Sequence, residues 1–401
     1  MTVADRGTES NAPSEPAAGA ERVRRVIEGV IGVPATEGNV IEALRNGDEI
    51  FPAMLEAIED AHDTIDLLTF VYWEGKIGRE FARRLAGRAR AGVRVRVVLD
   101  AWGAKPIERS LVAAMEEAGV LVRWFRPLRR FRPGSINHRT HRKVVIVDEA
   151  IGFVGGVGIA DEWLGNARDA SEWRDTHFRI RGPAVDGLRA AFLDNWAETD
   201  PELFDEDIDR FPEQPKPGSA IAQCVRGASE TGASDILTLF RTLCQVARSR
   251  IRITTAYFVP DDEILARLCA AADRGVDVEL LVPGPHIDKR LVQLAGEAAY
   301  ERLLQHGVRI WTFQPSMLHA KIITVDGLLA DIGSANLNAR STSLDEEVNV
   351  VVVEPGLVSV LDAHFDEDLS RSAALEPDRW QRRSFAQRAA EAIVAPVRRL
   401  F

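Results

Sequence analysis

Short apolar runs and amphipathic helical stretches alternate along this chain in an order that occurs twice. The first apolar run follows a helical pattern and reads TIDLLTFVYW from Thr64 to Trp73; its counterpart, RIRITTAYFVP, runs from Arg250 to Pro260. Next comes a helical pattern that stops at a glycine and feeds a β-branched run, GVRVRVVLD from Gly92 to Asp100 and GVDVELLVP from Gly275 to Pro283. Glycine suits the position just past a helix, and the valines suit a buried strand. A third pair, GVLVRWFRP from Gly119 to Pro127 and GVRIWTFQP from Gly307 to Pro315, is offset by 188 residues. Strands alternating with helices at this spacing predict an α/β fold, and duplicated halves predict packing about a pseudo-two-fold axis.

The fourth landmark is HRKVVIVD from His141 to Asp148 and HAKIITVD from His319 to Asp326, offset by 319 minus 141, or 178 residues. The offset drops by ten, so the first half carries ten extra residues between Pro127 and His141, directly beside this cassette. The polar, Ala/Pro/Ser-rich residues 1–26 are expected to be a disordered tail, with residues 27–197 as the first half and 233–371 as the second. Between them, residues 198–232 hold an acidic linker with Pro201, Pro212, Pro215 and Pro217 and the start of the second half. Residues 372–401 are expected to form a basic amphipathic helix, with Phe385, Ala389, Ile393 and Val397 recurring every four residues before Leu400 and Phe401.

At 401 residues and 46% hydrophobic content, the chain is large enough for two cores. Cys224, Cys244 and Cys269 lack metal-ligand or disulfide-frame spacing, which points to a reducing, cytoplasmic compartment and to no metal or other cofactor. No run of eighteen apolar residues occurs, so membrane contact would be peripheral. The net charge of −11 argues against a protein that coats nucleic acid with its whole surface.

In each cassette the histidine and lysine lie two residues apart, which on a strand places both on one face. A histidine can attack or carry a proton near neutral pH, and a lysine amine neutralises phosphate oxygens. One His-x-Lys alone reads as a solvated strand end; two copies in duplicated halves read as a phosphate clamp. Each copy is followed by small residues, Gly155-Gly156-Val157-Gly158 and Gly333-Ser334-Ala335-Asn336, which allow close approach of a ligand. Each half then adds an acid in a strand-like setting, Asp175 and Glu347. These are either surface carboxylates or partners that orient a histidine through its second ring nitrogen.

Together these residues resemble the phospholipase D superfamily, whose signature is His-x-Lys-x4-Asp followed by Gly-Gly or Gly-Ser and then Asn. The resemblance runs from about residue 40 to about residue 370. It is strongest toward bacterial cardiolipin synthases, through YFVPDDEIL at Tyr257, GSANLNARS at Gly333 and WRDTHFRIRGPAV at Trp173. It implies two α/β/α sandwich halves with one active site between them. Two departures stand out: Gly158 occupies the place of the first asparagine, and the transmembrane region that many relatives carry ahead of the first half is missing.

The resemblance implies a candidate catalytic set of His141, Lys143, Asp148, His319, Lys321 and Asp326, with Asn336, Ser334, Asp175 and Glu347 binding phosphate or orienting the histidines. It implies transfer through a covalent phosphohistidine, with His141 as nucleophile and His319 as acid and base. Asp148 and Asp326, five residues beyond the lysines, suit a structural part in the cassette turn. The implied function is a cardiolipin synthase type of phosphatidyltransferase, joining two phosphatidylglycerol molecules into cardiolipin and glycerol at the inner face of the membrane. A hydrolytic phospholipase D, a nuclease or phosphodiesterase, and a non-catalytic membrane scaffold are the rivals.

Eight cations and no acid lie between Arg123 and Lys143, with Trp124, Phe125 and Phe131 among them. They read either as a lip for anionic lipid, the expected partner, or as a solvated loop, and a nucleic-acid groove would use much the same residues. The terminal helix likewise reads as a membrane-interface element or as one docked on the protein.

Overall fold

The computed structural model describes residues 15–127, 137–199, 211–227 and 235–384, together with residues 387, 388 and 394. The elements of the first half are β1 (Thr36–Arg45), α2 (Asn46–Glu59), β2 (Thr64–Thr69), α3 (Lys76–Arg90), β3 (Arg94–Asp100), α4 (Arg109–Glu117), β4 (Leu121–Phe125), β5 (Val144–Val147), β6 (Ile151–Gly155), β7 (Thr176–Arg181) and α5 (Ala184–Thr199), after a leading α1 (Glu15–Ile31). The second half holds β8 (Ala220–Gly227), α6 (Asp235–Val246), β9 (Arg250–Thr254), β10 (Phe258–Val259), α7 (Asp262–Asp273), β11 (Asp277–Pro283), α8 (Arg290–Gln305), β12 (Arg309–Phe313), β13 (Ile322–Val325) and β14 (Leu329–Gly333). It closes with β15 (Leu337–Asn338), α9 (Ala339–Ser343), β16 (Glu347–Val353), α10 (Pro355–Ser370), β17 (Ser372–Ala374) and α11 (Pro377–Gln381).

Strands β2, β3 and β4 pair in parallel because α3 and α4 cross over between them. Gly92 and Gly119, and their counterparts Gly275 and Gly307, each stand just past a crossover helix at φ between 83° and 96°, where a Cβ would be strained. The cassette strand β5 lies antiparallel on β2, and β6, β7 and β1 follow. The second half repeats this order with β9, β11 and β12, then β13, β14, β16 and β8. Antiparallel pairing of β1 with β8 joins both sets into one fifteen-stranded sheet, with β17 added beyond β12. Read outward from that seam, the two series correspond strand for strand, which is the pseudo-two-fold arrangement of duplicated halves.

Both faces of the sheet are covered. Along β5, Val145 and Val147 pack with α2 and α3, whereas Val144 and Ile146 join a core that both halves share. That shared core includes Phe192 and Trp196 of α5, Val348, Val350 and Val352 of β16, and Leu357, Val358 and Leu361 of α10. Burying all four residues of the short cassette strands fixes where their histidines emerge.

Two ends of the chain differ from the expected layout. Residues 15–26 are not a disordered tail: α1 buries Val23, Ile27 and Ile31 against Ile236, Leu239 and Phe240 of α6. The apolar positions recur every four residues among arginines and glutamates, a stripe wide enough to seat one helix. At the other end the segment from 372 begins as a strand, with β17 antiparallel to β12, and only then turns into the short α11. Phe385, Ala389, Ile393, Val397, Leu400 and Phe401 lie outside the described residues. Val394, which is described, is buried with Tyr257, Val259, Val292 and Met317, so at that point the segment is seated on the protein.

Among the described residues no helix is long and apolar enough to cross a membrane.

Candidate active site

The histidines do not sit inside the cassette strands; they lie three residues before the first residue of β5 and of β13, in segments clipped to the opposite half. Thr140 forms a parallel bridge with Glu346, and the His141 N–H donates to the Glu346 carbonyl at 2.8 Å. Arg174 forms the matching bridge with Leu318, and the His319 N–H donates to the Arg174 carbonyl at 2.6 Å. The residue after each accepting carbonyl is Glu347 or Asp175.

The carboxylates therefore cross over. His141 Nδ1 lies 2.9 Å from a Glu347 carboxylate oxygen, and His319 Nδ1 lies 2.8 Å from one of Asp175. Both carboxylates are fully buried, which excludes the surface-carboxylate reading. An Nδ1–H held by a carboxylate leaves Nε2 as the free lone pair, the atom a nucleophile or base needs. Neither carboxylate stands alone: the Trp163 indole N–H donates to Asp175 at 2.9 Å, and the Ser341 hydroxyl donates to Glu347 at 2.6 Å. Ser334 adds a second hydroxyl donor to Glu347, while the Thr176 N–H, at 2.8 Å, serves Asp175. Trp163 and Ser341 differ by 178 residues, 341 minus 163, the same offset as the histidines. They are counterparts that serve one purpose with different chemistry, and sequence reasoning missed both; that shared offset was the available signal.

Lys143 and Lys321 each donate to the carbonyl of their own cassette's histidine, at 2.7 and 2.5 Å, and Lys321 Nζ also lies 3.3 Å from His319 Nε2. Burial pulls the Lys143 amine down to about 7 and the Lys321 amine to about 8, against the pull of Glu347 and Asp175. Burial, with Lys143 and Lys321 close by, also holds His141 well below the usual imidazole range; burial and Lys321 bring His319 to about 3. Glu347 is raised by burial to about 7, with Lys143 opposing. Burial would raise Asp175 too, but the His319 hydrogen bond and the charge of Lys321 outweigh it and hold it near 2. Buried lysines beside imidazoles held in the neutral form favour the entry of an anion, which would stabilise the protonated forms.

Asn336 is 2% exposed, and its side-chain oxygen has no hydrogen-bond partner among the described residues. The corresponding Gly158 has no room for an asparagine, because a Cβ there would meet Val71 at 2.6 Å. Gly156 is equally constrained, since its Cβ would lie 2.4 Å from the Asp175 carboxylate and 2.8 Å from the His319 carbonyl.

Asp148 and Asp326 do not belong with the reacting groups. Each sits at positive φ, 49° and 56°, in the turn after its strand. The Asp148 carboxylate accepts the backbone N–H groups of His62, Asp63 and Thr64, and Asp326 accepts those of Arg248, Ser249 and Arg250. They anchor the start of β2 and β9 to the cassette turn. The basic lip is corrected as well: Arg139 is buried on Asp100, Arg142 is buried on the carbonyls of Ala191, Gly227 and Glu347, and Arg126 binds Glu198. Arg129, Arg130, Phe131 and Arg132 lie outside the described residues.

His141 opens into a cavity of about 770 Å³ lined by Phe70, Tyr257, Asn336 and Ser341, among others. Trp102 of the first half and Leu291 of the second also line it and are 56% and 58% exposed. His319 lies deeper, with its ring centre 5.2 Å from Trp163, 5.5 Å from Trp173 and 6.2 Å from Tyr257.

The chain matches the family described as "Cardiolipin synthase, PLD-like domain" over residues 54–170 and 240–369, each segment containing one cassette. It is 35% identical over 362 residues to a cardiolipin synthase of Geobacillus kaustophilus (strain HTA426), covering 90% of this chain and 72% of that protein. It is 34% identical over 352 residues to the probable cardiolipin synthase YwiE of Bacillus subtilis (strain 168), covering 88% and 70%. Among solved structures, phosphatidylserine synthase from Haemophilus influenzae Rd KW20 superposes with a TM-score of 0.71, covering 95% of this chain and all of that one; at 15% identity this likeness concerns the fold alone. With both cassettes inside the matched segments and that degree of identity along most of its length, the chain belongs to the cardiolipin synthase, phospholipase D-like family.

Proposed function

We propose that this protein is a phosphatidyltransferase of the cardiolipin synthase type, transferring a phosphatidyl group from one phosphatidylglycerol to another through a phosphohistidine. The observation that carries the mechanism is the pair of histidines, each held by a buried carboxylate of the other half beside two buried lysines. His141, on the cavity side, is the nucleophile: its Nε2 bonds to phosphorus as the bond to the glycerol oxygen breaks. The entering phosphodiester anion favours protonation of His319, which gives its proton to the departing glycerol. In the second step the acceptor hydroxyl loses its proton to His319, its oxygen bonds to phosphorus, and the bond to His141 breaks. Lys143 and Lys321 offset the charge on the phosphoryl oxygens in both steps, and the Asn336 amide faces the same group.

The test uses phosphatidylglycerol vesicles without added metal, with lipid products read by mass spectrometry against a His141→Ala/His319→Ala control. Cardiolipin with glycerol, absent from the control, is the expected result. Phosphatidic acid alone would make the protein a hydrolase, and no lipid product would overturn the lipid reading.

We infer that the protein meets the inner face of the membrane peripherally, through the rim of this cavity. Trp102 and Leu291 present apolar surface from opposite halves at the same mouth, and burying two such side chains in a bilayer interface is worth several kcal/mol. Trp102→Ser/Leu291→Ser is expected to weaken flotation with anionic vesicles by about a hundredfold or more while leaving the fold intact. Unchanged flotation would remove this rim from the membrane contact.

A further inference from the structure

The cavity above His141 carries a second polar patch that neither cassette supplies. Four cations line it, and three are neutralised: Arg139 by Asp100, Arg290 by Glu297 and Arg340 by Asp345. Of the two acids in the wall, Asp288 accepts the Tyr257 hydroxyl at 2.8 Å and Asp345 is held by Arg340. Lys289 makes no ion pair among the described residues; its ammonium lies 4.9 Å from the centre of the Tyr257 ring, the same ring that packs against His319. Its charge reaches the transfer centre, helping to depress His141, while at Lys321 the carboxylate of Asp288 opposes it more strongly. It is also the N-cap residue of α8, with no side-chain acceptor there and no acid in the first turn, so the positive end of a sixteen-residue helix meets the same cavity.

We propose that Lys289 binds the phosphate of the acceptor phospholipid, a second phosphodiester anion held beside the one being transferred; this rests on the phosphatidyltransferase reading above. The chemistry requires such a place. When the acceptor is itself a phosphatidylglycerol, its free hydroxyl and its own phosphate are separated by one glycerol skeleton, so both phosphates occupy one cavity while oxygen bonds to phosphorus and the bond to His141 breaks. The cassette lysines serve the transferring phosphoryl group. A cation with no ion pair among the described residues, nearby and outside either cassette, supplies the counter-charge for the other, and it separates a lipid acceptor from water or free glycerol, which bring no charge.

The test compares two acceptors in one set of phosphatidylglycerol vesicles: formation of cardiolipin, and exchange of radiolabelled glycerol from the buffer into phosphatidylglycerol. Lys289→Met keeps the stem and removes the charge. The expected result is a ratio of cardiolipin formation to glycerol exchange that falls about fivefold or more, with Lys289→Arg recovering most of it. An unchanged ratio, whether both rates fall together or neither does, would overturn the proposal; so would a parallel loss of vesicle flotation, which would make Lys289 a bilayer contact. A wild-type protein that forms no lipid product fails the underlying function instead, and is recognised before any variant is made.

Discussion

Replacing His141 by alanine is expected to reduce turnover by about 10⁴-fold or more and to abolish the covalent adduct, whereas His319→Asn slows turnover comparably but lets the adduct accumulate. The asymmetry follows from position. His141 lines the cavity and presents the ring nitrogen opposite its Glu347 contact to whatever enters, while His319 lies behind it among Trp163, Trp173 and Tyr257. Without His141 no nitrogen stands where phosphorus arrives. Without His319 the first step loses its acid, but a phosphatidyl group that reaches His141 then lacks the base that would activate the acceptor. The measurement uses phosphatidylglycerol labelled in its phosphate, quenched in alkaline detergent to preserve a phosphorus–nitrogen bond, with label counted on the protein. Label retained by His141→Ala and lost by His319→Asn would exchange the two roles.

The second large effect concerns the crossed carboxylates. Asp175→Asn and Glu347→Gln are each expected to lower kcat by roughly 10² to 10⁴-fold, because an amide no longer fixes the imidazole tautomer or steadies an imidazolium. Their effects on stability should differ. Asp175 accepts from His319, the Trp163 indole and the Thr176 N–H, all groups that only donate in this arrangement. An asparagine amide must turn its own donor toward one of them, leaving a buried polar group unpaired at a cost of about 1–3 kcal/mol. Glu347 instead meets the hydroxyls of Ser334 and Ser341, which rotate to accept as readily as they donate. Denaturant titration of the two variants should show the asparagine protein less stable and the glutamine protein close to the parent. Equal stability losses would refute the distinction, and an unimpaired kcat in either variant would remove that carboxylate from the mechanism.

Much of the fold was readable because buried parallel strands announce themselves as continuous β-branched runs, and because the whole series recurs in one order. The cassettes were readable for the same reason. Their partners were legible only as types: Asp175 and Glu347 could be named, but not that each serves the other half's histidine, since the contacts span 144 and 206 residues. Trp163 and Ser341 were hidden by being different amino acids at equivalent positions. Arg139 and Arg142 were misread as a solvent-facing lip because a count of charges carries no partners, and theirs come from β3, α5 and the second half. Helix α1 was missed because three buried residues spaced by four are diluted by charge and follow an Ala/Pro/Ser-rich lead.

The crossing also orders events during synthesis. His141 waits for Glu347, some 206 residues later in the chain, before it has a partner to fix its tautomer. A ribosome that has released only the first half has released His141 and Lys143 but not the carboxylate that holds the His141 ring. The pair of carboxylate-held histidines is therefore complete only once Glu347, near the end of the second half, has been added.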